Sequence, residues 1–150
     1  MVECVVLVGL PASGKTTFYQ RRFAATHHHV SKDLWPNARN TDARQAMQLR
    51  HALASGISVV VDNTNPSVAD RAAIIAIARE YGARVIGFYF DATTRECVAR
   101  NRRREGAHRV PDVAIFTKAK RMVVPSVAEG FDELQRVSIL ESGEFDVRPA

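Results

Sequence analysis

The sequence predicts an α/β fold: a parallel sheet with helices covering both faces. Three observations carry this. Apolar, β-branched runs alternate along the chain with segments of helical pattern, as strands linked by crossover helices do. A G-x-x-x-x-G-K-[ST] pattern, Gly9-Leu10-Pro11-Ala12-Ser13-Gly14-Lys15-Thr16, stands between the first such run and the segment after it. Gly9, Asp33 and Asp62 each follow an expected strand, so all three should meet along the carboxyl rim, where parallel sheets bind ligands.

The elements follow in order. Val5–Val8 is a buried strand, and Thr17 to Ala25 mixes apolar and basic residues as a surface helix does. His27–Ser31 reads as a short second strand; three consecutive histidines cannot share one strand face, and they are expected to be partly exposed rather than metal ligands. A loop broken by Pro36 leads to a helix capped by Asn40 or Thr41, with Ala46, Met47, Leu49 and Leu53 as its apolar positions and Gly56 as its stop. Ile57–Val61 is the third strand. Ser67 caps a helix through Tyr81, with Ile74, Ile75, Ile77 and Ala78 mostly buried, and Gly82 ends it. Arg84–Phe90 is the fourth strand. Thr93 opens a helix that carries an arginine cluster to about Glu105, and Pro111-Asp112 opens another to about Val123. Val137–Leu140 is a weaker fifth strand, and the last eight residues are expected to fray or add an edge.

At 150 residues the chain is expected to be one domain with a substantial core. No run approaches a membrane span and no signal-peptide pattern precedes the first strand. Cys4 and Cys97, two scattered thiols without metal spacing, fit a reducing cytoplasm. The net charge of +5 is concentrated: Arg95–Arg121 holds nine basic residues against Glu96, Glu105 and Asp112. Basicity so local suggests an anionic partner bound at one place.

The glycine-lysine pattern is the phosphate-binding loop. Its glycines allow backbone angles that aim successive N–H groups inward at a helix N-terminus, a nest for phosphate oxygens. Lys15 reaches the β- and γ-phosphates and the Thr16 hydroxyl suits Mg²⁺. Asp62, at the end of an apolar strand, has the form of a carboxylate that holds Mg²⁺, or else starts an Asx-turn. Asp33 stands where a phosphate acceptor approaches and could take the proton of its hydroxyl; pairing with Lys32 or capping a turn is the structural alternative. Asn63, Thr64 and Asn65 suit either holding neighbouring loops or touching substrate. Arg100, Arg103 and Arg104 share a helix face by their spacing, and such a group could close over a migrating phosphoryl group; Arg102 faces elsewhere.

Gly9–Thr17, Ser31-Lys32-Asp33, the Asp62-Asn63-Thr64-Asn65-Pro66 loop, and Arg100-Asn101 leading to Val110-Pro111 together resemble the kinase domain of polynucleotide 5′-kinases. The likeness runs over roughly residues 3 to 140 and is closest over Val59–Arg71 and near Ala128-Glu129-Gly130-Phe131. It implies an adenylate-kinase-like P-loop fold with five parallel strands in order 2-3-1-4-5, and a lid over about residues 100–122. It implies transfer of the γ-phosphate of ATP, or another nucleoside triphosphate, with Mg²⁺, to the 5′-hydroxyl of DNA or RNA.

On that resemblance Lys15, Asp33 and Arg104 are expected to be catalytic, Asp33 as general base, with Arg103 as the alternative lid arginine. Gly9, Pro11, Ala12, Ser13, Gly14, Lys15, Thr16, Thr17 and Arg100 are expected to bind the nucleotide, and Thr16 and Asp62 the metal. Lys32, Arg39, Arg44, Asn63, Asn65 and Arg71 are expected at the acceptor. Lys32 departs from the arginine common in the family, and residues 34–45 are longer than in the family's animal members. No haloacid-type phosphatase motif is present, so 3′-phosphatase activity is not expected. The competing readings are a kinase of a nucleoside, sugar or antibiotic hydroxyl, and a nucleotide-dependent RNA-binding or regulatory protein.

Overall fold

In the computed structural model, which describes residues 1–150 apart from the side chain of Ala107, the first strand divides the core in two. β1 (Glu3–Val8) sends Cys4, Val6 and Val8 into one apolar cluster and Val5 and Leu7 into another, because successive side chains leave opposite faces of a strand. A strand apolar on both faces must be covered on both, the condition for a parallel sheet.

The strands β2 (His28–Val30), β3 (Val59–Asp62), β4 (Arg84–Phe90) and β5 (Glu133–Ile139) join β1 in that sheet. Its order is β2-β3-β1-β4-β5-β6. The first five strands run parallel, in the expected order. The sixth, β6 (Phe145–Pro149), pairs antiparallel with β5. The chain's last residues thus add an edge instead of fraying. Apolar contact fixes that outcome: Phe145 and Val147 pack on the cluster of Phe18, Phe88 and Phe90, and the Phe145 ring meets Phe18 edge-on at 5.1 Å.

Five helices connect the strands: α1 (Lys15–Arg22), α2 (Thr41–Ala54), α3 (Val68–Glu80), α4 (Thr94–Arg102) and α5 (Asp112–Arg121). Their starts are fixed by local chemistry. Asn40 Oδ1 accepts the Ala43 N–H at 3.0 Å, and Ser67 with Asp70 and Thr93 with Glu96 form reciprocal capping boxes. Three expectations need correction. α4 stops at Arg102, so Arg104 lies beyond the helix. Met47 is 62% exposed because the buried face of α2 is Gln45, Leu49, Ala52 and Leu53. β5 starts at Glu133, where charged residues alternate with Leu134 and Val137 and hide the strand from a reading by hydropathy.

The register brings the strand ends together. Leu7 of β1 lies beside Asp62 of β3, and Val30 of β2 lies beside Val61. Gly9, Ser31 and Asp62 therefore leave the sheet at one rim. Among the described residues, no helix is long and apolar enough to cross a membrane.

Candidate active site

The loop after β1 is shaped by close approach. A Cβ on Gly9 would lie 2.7 Å from Ser13 Oγ and 2.9 Å from Phe90 Cβ. Gly14 caps α1 in the left-handed region at φ 98°, open to glycine without strain. Leu10 and Ala12 anchor the loop by packing on Cys97 and Val98 of α4 and Ile115 of α5. No acidic residue stands in the first turn of α1, which leaves its N–H groups and positive dipole end open to an anion. Thr16 and Thr17 are exposed in that turn, and Pro11 and Gly14 are half-buried.

Two buried side-chain polar atoms among the described residues have no hydrogen-bond partner: Ser13 Oγ in the loop and Arg100 Nη1 on α4. An orphaned buried donor costs about 1–3 kcal/mol, a penalty that a bound anion removes. Lys15 is also buried; its Nζ donates to the Leu10 carbonyl at 2.8 Å. Burial pushes its ammonium down from the usual lysine range, and the charge of Asp62 only partly offsets this.

Asp62 is 3% exposed. Its Oδ2 accepts the Thr16 hydroxyl at 2.7 Å and His29 Nε2 at 2.8 Å. Burial alone would raise its carboxyl. The bonds from His29 and Thr16 and the charge of Lys15 outweigh burial and hold it below the usual carboxylate range. Because Thr16 donates its proton to Asp62, its oxygen lone pairs remain for a cation. Among the described residues no cluster of three His, Cys, Asp or Glu side chains could cage a metal. One hydroxyl and one carboxylate, both hard oxygen donors, fit Mg²⁺, which is held by one or two such groups together with phosphates.

Asp33 sits in a 3₁₀ turn, Lys32–Leu34, where Ser31 Oγ accepts its backbone N–H at 3.3 Å. Its carboxylate is exposed and, among the described residues, has no hydrogen-bond or ion-pair partner. It adds to the negative field at Lys15. The alternative pairing with Lys32 is absent, since Lys32 pairs with Asp42. The Lys32 N–H donates to Asn63 Oδ1 at 2.9 Å, and Asn63 Nδ2 donates to Gln45 Oε1 at 2.6 Å. Asn63 thus ties the β2 turn to β3 and α2. Arg39 is exposed, and Arg44 lies over the Trp35 ring at 5.0 Å.

Two residues expected at the acceptor lie elsewhere. Asn65 is buried, at φ 47°, and donates to the Leu7 carbonyl at 2.8 Å. Arg71 is 0% exposed. Its guanidinium grips Glu129 through Nε at 2.8 Å and Nη2 at 3.1 Å, and bonds the carbonyls of Asn65 and Pro66 through Nη1. Both residues have their donors committed inside the protein, so they brace the loop after Asp62 and do not face an acceptor.

The arginine cluster divides by partner. Arg102 is exposed and pairs with Asp112 at 3.2 Å. Arg103 is exposed at the end of α4. Arg104 is half-buried, bonds the His108 carbonyl at 3.1 Å, and lies close enough for its charge to be felt at Lys15. Asn101 is buried and clamps the loop: its Nδ2 donates to the Val110 carbonyl at 2.6 Å and its Oδ1 accepts the Val110 N–H at 3.0 Å.

His29, Gln45 and Glu129 escaped the sequence reading. His29 carried one usable signal, its alternation with Val30 at the end of a strand leading to the rim. Glu129 lies in a stretch of close family likeness that gave it no role, and Gln45, whose partner Asn63 is on another element, offered no signal.

The family described as "AAA domain" matches residues 4–125 of the chain. The bifunctional polynucleotide phosphatase/kinase of Schizosaccharomyces pombe is 30% identical over 139 residues, covering 90% of this chain and 33% of that protein. The chain spans about a third of the length of the curated relatives it matches. Among solved structures, Chaetomium thermophilum Kti12 in complex with ADP-AlF3 superposes with a TM-score of 0.68 at 16% identity, over 93% of this chain and 92% of that one. A sugar kinase from a Janibacter species gives 0.68 at 16% identity, over 92% and 86%. At such identity these two show the fold alone.

Proposed function

The chain belongs to the family described as "AAA domain", and on that premise we propose that it is a nucleotide-binding P-loop kinase domain acting as an ATP-dependent polynucleotide 5′-kinase. It transfers the γ-phosphate to the 5′-hydroxyl of a DNA or RNA end. Residues 1–150 act as one kinase domain, with about 100–122 as its lid.

In this reading the backbone of Gly9–Thr17 cradles the triphosphate, and Ser13 Oγ and Arg100 Nη1 supply their unused donors to it. Thr16 and Asp62 would hold Mg²⁺, which would supply positive charge to the phosphate oxygens. Asp33 accepts the proton of the acceptor hydroxyl as its oxygen attacks the γ-phosphorus, and ADP leaves. Lys15 and Arg104 balance the negative charge that spreads over the migrating group. Arg103 is the alternative to Arg104. Lys32, Arg39, Arg44 and Asn63 surround the acceptor side, Asn63 by holding the turn that bears Asp33.

The observation that carries the reading is the Asp33 carboxylate: exposed and without a partner among the described residues, on the rim shared with Asp62 and within electrostatic reach of Lys15. The local basicity of residues 95–121 and the name of the fission-yeast relative support a polynucleotide as acceptor. The test is incubation with γ-labelled ATP, Mg²⁺ and matched oligonucleotides ending in 5′-hydroxyl or 5′-phosphate, with a nucleoside alongside. Label on the 5′-hydroxyl oligonucleotide alone is the expected result. Equal labelling of the nucleoside, with no loss at higher salt, points to a small-molecule kinase instead.

A further inference from the structure

The histidine run divides into three environments. His27 pairs with Glu3 and His28 is exposed, whereas His29 reaches the site. Its Nε2 contacts Asp62 Oδ2 at 2.8 Å, the same oxygen that takes the Thr16 hydroxyl at 2.7 Å. The bond requires the proton on Nε2. The imidazole lies flat on the Tyr19 ring, with centroids 4.1 Å apart and planes 15° apart. Tyr19 is itself fixed, donating its hydroxyl to the His27 carbonyl at 2.9 Å. The strand ladder holds the backbone as well, with His29 beside Val60 two residues before Asp62. Stack, ladder and hydrogen bond together leave the ring one orientation.

We propose that His29 is a positioning residue that locks the Asp62 carboxylate for the magnesium-bound triphosphate. Two donors saturate Oδ2 and define the carboxylate plane, so that Oδ1 is presented in one direction. Without His29 the Thr16 hydroxyl alone holds Asp62, and a single bond lets the carboxylate turn about it. Partners behind a metal-side ligand act in this way, by orienting it. The same bond links the metal-side carboxylate to the strand that leads into the turn bearing Asp33, four residues on. The inference rests on the reading of Asp62 as the magnesium-side carboxylate.

The test is calorimetric titration of the full chain with a non-hydrolysable ATP analogue, with and without Mg²⁺. His29→Phe keeps an aromatic ring on Tyr19 and removes the donor; His29→Gln returns a donor at similar reach. In His29→Phe, metal-free affinity should stay near that of the unmodified chain, while the gain from Mg²⁺ should shrink roughly tenfold. His29→Gln should recover most of that gain. A full Mg²⁺ gain in His29→Phe overturns the proposal, as does an equal loss with and without metal, which marks a general effect on folding. Asp62→Asn separates the two layers. If it keeps the Mg²⁺ gain, the reading of Asp62 falls and the proposal with it. If it loses the gain while His29→Phe does not, only the role of His29 falls.

Discussion

Lys15 turns its ammonium onto its own loop, donating from Nζ to the Leu10 carbonyl at 2.8 Å, with both residues buried. The charge is thus held in a pocket that only an incoming anion completes. Burial depresses the lysine, so the folded chain without nucleotide carries a penalty at every pH below that lowered value. Lys15→Met should remove the penalty. A rise in thermal midpoint equivalent to about 1 kcal/mol is expected, together with loss of nucleotide binding. A lower midpoint in calorimetry contradicts the account.

Asp33 has nothing to hold, since its carboxylate lacks a partner among the described residues. Asp33→Asn should therefore leave stability and nucleotide affinity unchanged and reduce transfer to a 5′-hydroxyl by about 10²–10⁴-fold. Single-turnover kinetics with labelled ATP measures this; an undiminished rate removes Asp33 from the chemistry.

Arg71 and Glu129 form a buried pair, with side chains 0% and 9% exposed. Removing one partner strands the other, so Arg71→Met should destabilise the fold by about 3–5 kcal/mol, whereas Arg71→Met with Glu129→Leu should recover only part of the loss, because the carbonyls of Asn65 and Pro66 still lose their donor. Urea denaturation of the single and double variants distinguishes a brace from a substrate contact.

Arg104 and Arg102 stand two residues apart with opposite expectations. Arg104 is felt at Lys15, while Arg102 is exposed and paired with Asp112. Arg104→Ala should lower kcat by roughly 10²–10³-fold with little change in nucleotide affinity, and Arg102→Ala should leave kcat nearly unchanged. A large effect of Arg102→Ala reverses the assignment.

Asp62 gives the fold a defined acid limb. Its folded-state carboxyl lies below the usual range, so the stability it contributes is complete above that range and disappears as pH falls through the depressed folded value. Asp62→Asn should flatten this part of the profile. Thermal midpoints between pH 3 and 7 test it, and an unaltered acid slope in the variant argues against the hydrogen-bonded carboxylate.

What the sequence made legible was whatever depended on near neighbours. Asn40, Ser67 and Thr93 mark helix starts because a cap needs only the next three residues. The phosphate loop is local in the same sense, being a turn, its glycines and the helix it opens. Arg71 resembles an acceptor contact in the sequence because its burial depends on Glu129, 58 positions away. Asn65 looked like a substrate contact because its partner, the Leu7 carbonyl, lies on another strand. His29 is the half-exposed strand residue that the sequence predicts, but its partners are not legible there: the groups that fix it, Tyr19 and Asp62, meet only after β2 pairs with β3. The start of β5 is hidden in the sequence because the polar run Gln135-Arg136 separates Leu134 from Val137.

The strand order has a metric consequence. β3 lies between β1 and β2, so the loop that takes the donor and the turn that bears Asp33 are separated by two inter-strand spacings, roughly 10 Å. Asp62 stands at the midpoint of that interval. The backbone ladder therefore works as a ruler: hydrogen bonds between strands set the span from phosphate loop to proposed base, whatever the loops above them do. Side-chain changes in the acceptor loop can alter which molecule is admitted. They leave the span between the phosphate loop and the Asp33 turn unchanged.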